Sequence, residues 1–144
     1  MALKSALLRE QLFIAVGPRW KLIQIMSSIL LLLSKLELLE SLEQLFFRAG
    51  YKVSTFDQPN VMLEKLKEES PNCFLIEAQE TKSKTLSLLH DIQKKKPSTP
   101  IIILGSNGNM ANAVGVIRAG AKDYIEMPII DRLLIESVQN AISA

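Results

Sequence analysis

The sequence predicts an α/β fold: a doubly wound parallel sheet of five strands with helices on both faces. Three observations predict it. From residue 28 onward, short apolar runs alternate five times with segments of helical period. Proline and glycine punctuate the joints, at Gly50, Pro59, Pro100, Gly120 and Pro128. The 144-residue chain is 48% hydrophobic and 22% charged, which supplies one domain with a continuous core. Strands and helices in strict series leave a parallel sheet, because crossover connections are right-handed.

The elements follow in order. "ILLLL" (29–33) reads as a strand buried on both faces. "KLELLESLEQLFFRAG" (35–50) sets Leu38, Leu39, Leu42, Leu45 and Phe46 at helical spacing and stops on Gly50. "YKVSTF" (51–56) alternates as the second strand. "PNVMLEKLKEES" (59–70) opens a helix on Pro59, whose fixed φ suits a first turn. "CFLI" (73–76) is the third strand, and the acid Glu77 follows it directly. "KTLSLLHDIQKKK" (84–96) is a helix whose closing lysines complement its dipole. "IIIL" (101–104) is a strand introduced by Pro100, and "MANAVGVIRAG" (110–120) a helix ending on Gly120. "DYIEM" (123–127) is a short strand closed by Pro128. "DRLLIESVQNAIS" (131–143) is the last helix, with Asp131 near its N-terminus.

Residues 1–28 stand outside this pattern and are expected to form an N-terminal extension to a domain spanning 29–144. "ALKSALLREQL" can form an amphipathic helix, "FIAVG" a strand and "PRWKLIQIM" either. Lys4, Arg9, Arg19 and Lys21 face a single acid, Glu10. The readings are a helix packed on the domain, an oligomerisation arm anchored by Trp20, a targeting peptide, or an extension ahead of a second start at Met26.

Bulk properties exclude several functions. A net charge of +2, with scattered cations, does not fit nucleic-acid binding. The longest apolar tract, Ile23 to Leu33, is too short for a bilayer, which needs roughly 20 residues. The single Cys73 rules out a disulfide within the chain and suits a reducing, cytoplasmic compartment. One cysteine and one histidine, His90, make no zinc site. No metal and no cofactor are expected.

The segment 29–143, about four-fifths of the chain, resembles the receiver domain of two-component response regulators. "ELLESLEQLFFRAGYKV" looks like that family's first helix and second strand. "PSTPIIILGSNGNMANAVGVIRAGAKDYIEMP" looks like its fourth strand through its fifth, and "AGAKDYIEMP" is the most specific part. The resemblance implies a flavodoxin-like sheet of order 2-1-3-4-5. It also implies chemistry at the C-terminal ends of the strands: an aspartate that takes a phosphoryl group, two acids that help hold Mg²⁺, a Thr or Ser, and a Lys.

This sequence departs at each of those positions. The acidic pair falls on Leu33 and Ser34, and the phosphoacceptor on Glu77. The hydroxyl falls on Gly105, with Ser106 one place late, and the lysine on Met127. One acid without its partners is a poor Mg²⁺ site, and without the lysine nothing fixed offsets a dianionic phosphoryl group. Glu77 is expected to be a solvated carboxylate at a strand end, the remnant of a site. The chain is therefore expected to be a pseudo-receiver, a signalling and protein-interaction module without enzymatic activity. Two alternatives stand beside it: an atypical phosphate-type switch through Glu77 or a constitutively active-like receiver, and a small-ligand sensor using an apolar crevice at Leu33, Gly105 and Met127.

Tyr124 matches the family's switch aromatic. With Gly105 lacking a hydroxyl, it is expected to be a fixed surface residue. It would sit on a face made by the fourth helix, fifth strand and fifth helix, with Arg118, Lys122, Glu126 and Asp131. Partner binding or self-association is expected there. "GSNGN" (105–109) lacks the G-x-G-x-x-G pattern of a phosphate-cradling loop and reads as a plain turn.

Overall fold

A computed structural model of the chain describes residues 27–105 and 110–143. The described elements alternate: β1 (Ser28–Leu32), α1 (Leu36–Arg48), β2 (Lys52–Phe56), α2 (Pro59–Lys65) and β3 (Cys73–Glu77). Then come α3 (Lys82–Lys95), β4 (Ile101–Gly105), α4 (Met110–Arg118), β5 (Asp123–Glu126) and α5 (Asp131–Ser143). The strands form one parallel sheet in the order β2-β1-β3-β4-β5, the expected doubly wound arrangement.

Successive strand residues point to opposite sides, so the apolar runs feed two cores. Leu31, Leu33, Leu75 and Leu104 join α1 (Leu39, Leu42, Phe46) and α5 (Leu134, Val138) on one face. Leu30, Leu32, Phe74, Ile76 and Ile103 join Met62 of α2, Leu89 and Ile92 of α3, and Val116 of α4 on the other. This two-sided burial is why β1, β3 and β4 read as unbroken apolar runs rather than alternating ones. Cys73 is fully buried in the first core. Burial pushes its thiol up to about 12. His90 is an exposed residue of α3, as a lone histidine among polar neighbours suggests.

Two helices end in the same way, for a reason visible in the sequence. Gly50, at φ 99°, follows α1, and Gly120, at φ 112°, follows α4; both lie in the left-handed region that favours glycine. Gly50 N–H donates to the Phe47 carbonyl and Tyr51 N–H to that of Phe46. Gly120 N–H donates to Ile117 and Ala121 N–H to Val116. Both are Schellman closures. The apolar contact that accompanies such a closure is the Phe46–Tyr51 ring pair, edge to face with centroids 5.8 Å apart. Burial, and then the neighbouring Cys73, raise the Tyr51 phenol to about 12.

Some boundaries differ from the sequence expectation. The second helix ends at Lys65, not at residue 70: Leu66, its C-cap, is the last fully buried side chain before Pro71. The third helix starts at Lys82, capped by Thr81, whose Oγ1 accepts from Lys84 N–H at 3.1 Å. Glu77 and Gly105 lie inside their strands rather than just past them, paired with Leu104 and Glu126. At the start, Ser28 belongs to β1 and the Ser27 carbonyl accepts from Lys52 N–H at 3.0 Å. The rest of the expected extension, 1–26, lies outside the described residues, as do Ser106 and the remainder of the 105–109 loop.

Candidate functional site

In an open parallel sheet, ligands are met at the C-terminal ends of the strands, around the point where strand order reverses. Here that point lies between β1 and β3, which pair in register from Ile29–Cys73 to Leu32–Ile76. Leu33 and Ser34 leave β1 there, and Glu77 closes β3.

Leu33 has no solvent exposure and packs in the α1/α5 core, while its backbone N–H still donates to Phe56 at 3.1 Å. Met127, after β5, is half-buried against that same core, with its N–H on the Gly105 carbonyl at 2.8 Å. The Met127–Pro128 peptide is cis. Ser34 is exposed. Its backbone N–H donates to Glu77 Oε2 at 2.9 Å. Glu77 is therefore not the freely solvated carboxylate expected from the sequence: it ties the end of β3 to the end of β1. The Glu77 carbonyl is also occupied, accepting from Gln79 Nε2 at 2.8 Å.

Among the described residues, no apolar crevice opens at Leu33, Gly105 and Met127, where the small-ligand alternative placed one. Leu33 and Met127 are drawn into the core, and the Tyr124 ring lies over Gly105. A concavity among the described residues sits to the β2 side of Glu77. It holds about 380 Å³ and is lined by Leu32, Ser34, Asp57, Gln58, Glu77 and Glu80, among others. It is polar and acidic. Glu80 is exposed and pairs with Lys84 at 2.9 Å, and the hydrogen bond to that ammonium holds its carboxyl below the usual range. Sequence reasoning passed over Asp57 and Glu80. Asp57 directly follows β2 and Glu80 lies three residues past the end of β3, and that place beyond the strand ends was the available signal. Among the described residues, no group of three or more His, Cys, Asp or Glu is placed to hold a metal ion.

Tyr124 also differs from expectation. It is partly buried against the α2/α3/α4 core rather than lying on the surface. Burial, and secondarily Glu126, raise its phenol above the ordinary value. The other residues of the expected face, Arg118, Lys122, Glu126 and Asp131, are exposed. The structure adds large exposed apolar side chains on the elements that carry them: Val114 and Ile117 on α4, Ile130 just before α5, and Leu133 on it. Asp123 fastens this region, accepting from the Ser137 hydroxyl of α5 and from Tyr124 N–H.

A model of the response regulator receiver domain matches residues 34–139. The DNA-binding transcriptional regulator NtrC of Klebsiella pneumoniae is 29% identical over 102 residues, 71% of this chain and 22% of NtrC. The transcriptional regulatory protein FixJ of Bradyrhizobium diazoefficiens is 28% identical over 103 residues, 72% of this chain and 50% of FixJ. The chain thus spans about a fifth of the NtrC length and half of FixJ. The crystal structure of a receiver domain protein from Clostridium thermocellum superposes with a TM-score of 0.75 at 24% identity, covering 82% of this chain and 95% of that one.

Proposed function

The chain belongs to the response regulator receiver domain family, and from that premise we propose that it works as a pseudo-receiver: a signalling module that binds protein and carries no phosphoryl chemistry. Receiver domains are signalling modules. The observation that carries this reading is the Glu77–Ser34 tether flanked by buried Leu33. At the phosphoacceptor position stands a longer carboxylate with one oxygen already engaged. Where the first acid of the pair would help hold Mg²⁺ stands a core leucine. Where a lysine would meet the phosphoryl oxygens stands a methionine packed on that core. The neighbouring concavity carries Asp57, Glu77 and Glu80, whose charge repels a phosphoryl dianion.

An amide-shift titration of the whole chain with Mg²⁺ and beryllofluoride tests this. The expected result is no change beyond that of a salt control. Shifts clustered at Ser34, Glu77, Gly105 and Tyr124 would overturn it and favour an atypical phosphate-type switch.

The output surface in this reading is the face of α4, β5 and α5. Arg118, Lys122, Glu126 and Asp131 surround the exposed Val114, Ile117, Ile130 and Leu133. Apolar anchors inside a charged rim are what protein interfaces use. The chain is expected to self-associate, or bind a protein partner, through this face. Sedimentation velocity checks the first: Ile117→Asp weakens association about tenfold, the loss of one anchor. Residues 29–144 are proposed as the receiver unit and 1–28 as an extension to it. Among the described residues no helix is long and apolar enough to cross a membrane, and a cytoplasmic location is proposed with the rest of the reading.

A further inference from the structure

We infer that Gly105 makes the room in which the Tyr124 ring rests in one inward position, so that the α4–β5–α5 face has a single state set by the sequence and not by events at Glu77. The inference rests on the proposal that this face is the output surface and deepens it by naming how the surface is regulated. Tyr124 lies opposite Ile103 in the β4–β5 register. Gly105 is two residues further along β4, on the same side of the sheet, and an aromatic side chain reaches such a diagonal neighbour. A Cβ built on Gly105 would stand 1.8 Å from Tyr124 Oη, 2.1 Å from Cζ and 2.8 Å from Cε2. Three atoms of a rigid ring system fill the place of a side chain.

The backbone gives no other reason for glycine at this position. Gly50 and Gly120 have the positive φ that favours glycine, whereas Gly105 lies in regular strand pairing and has no such φ. A strand glycine ordinarily weakens its strand and marks a close approach. Here the approaching group is the Tyr124 ring, which in return is partly buried against the α2/α3/α4 core. Any larger residue at 105 forces the ring to turn about χ1. Because β5 is an edge strand, the ring then swings outward, onto the face that carries Val114 and Ile117. Gly105 and Tyr124 are thus a matched pair, and the state of the face is written into the glycine.

Nitration of the full chain by tetranitromethane, resolved by mass spectrometry, tests the inference. The chain has two tyrosines, and Tyr51, 3% exposed, is the internal control. In the wild type both are expected to nitrate slowly relative to the urea-unfolded chain. Mg²⁺ with beryllofluoride is expected to leave the Tyr124 rate unchanged. In Gly105→Ala, Tyr124 is expected to nitrate about tenfold faster as it moves into solvent, with Tyr51 unchanged. Nitration of wild-type Tyr124 at the unfolded rate overturns the inference, as does an unchanged rate in a folded Gly105→Ala. For the case in which that variant does not fold, wild-type NMR decides. Cross-relaxation between Gly105 Hα and the Tyr124 ring is expected, and its absence overturns the lock. The two proposals fail separately. Beryllofluoride shifts at Ser34 and Glu77 with a constant Tyr124 rate sink the pseudo-receiver and keep the lock. A Tyr124 rate that moves with beryllofluoride sinks the lock.

Discussion

Phe74→Ala is expected to remove about 3–5 kcal/mol of stability, the usual cost of deleting a fully buried aromatic ring. Phe74 sits on β3, the middle strand of the sheet, and has no solvent exposure. Its ring enters the core between the sheet and the helices α2, α3 and α4. That core draws side chains from three helices and three strands, so a hole beneath Phe74 is bordered on all sides and closes poorly. A domain of this kind has about 5–15 kcal/mol in total, so one substitution takes a large share of it. Urea unfolding followed by circular dichroism checks the claim. The midpoint falls by about 1–3 M while the slope stays constant, because the exposed area on unfolding barely changes. Phe47→Ala is the control. The same ring is deleted from a side chain that is 70% exposed, and the midpoint is expected to move by less than about 0.5 kcal/mol in equivalent stability. Equal losses at the two positions would mean that the sheet does not have β3 at its centre.

How much of this was legible beforehand depends on what decides each feature. Runs such as "IIIL" and "CFLI", alternating with segments of helical period, point to strands of a parallel sheet covered on both faces, so the fold class was open to inspection. Strand ends were less so, because they depend on the partner. Glu77 counts as strand because Leu104 stands beside it, and Gly105 because Glu126 does. The end of α2 was hidden by "EKLKEES", whose helical propensity continues past the last residue with anything to bury.

At the site, positions were legible but contacts were not. That Glu77 closes β3 follows from one short segment. That its carboxylate meets the N–H of Ser34 depends on two segments 43 residues apart, brought together by the β1–β3 pairing. Tyr124 was misplaced on the surface for a similar reason. Its strand runs from intermediate burial to an exposed Glu126 with no fully buried residue, and only the space above Gly105 decides which way the ring turns. Among the described residues the crevice of the small-ligand alternative is filled, because an apolar side chain beside a core packs into it and leaves no hole. Leu33 and Met127 simply extend the core. Val114 and Ile117 escaped notice because "MANAVGVIRAG" is apolar around most of its circumference, so its period alone does not tell the buried Val116 from its exposed neighbours.

Leu33→Asp, which would place an acid at the position that the resemblance matches to the acidic pair, is expected to cost on the order of 3–5 kcal/mol at neutral pH through burial of a charge. Leu33 has no exposure and is packed with side chains of α1 and α5. A carboxylate there loses its water and gains no cation, so its folded-state pKa rises well above the unfolded value of about 3.9. The sign follows from proton binding. Between those two values the folded state holds a proton that the unfolded state has released, so the variant's stability falls as pH rises. The gap between variant and wild type in urea is therefore expected to be narrower at pH 4.5 than at pH 7.5. Leu33→Asn separates the two parts of the effect: it pays for burying a polar group but shows no such pH slope. Ser34→Asp, one residue on and exposed, is expected to be nearly neutral in stability. A Leu33→Asp variant as stable as wild type, with no pH dependence, would mean that residue 33 faces water and that the site remains open. The expected loss means the opposite. The position is part of the core, and a metal site there would require residue 33 to leave that core as well as to change its chemistry.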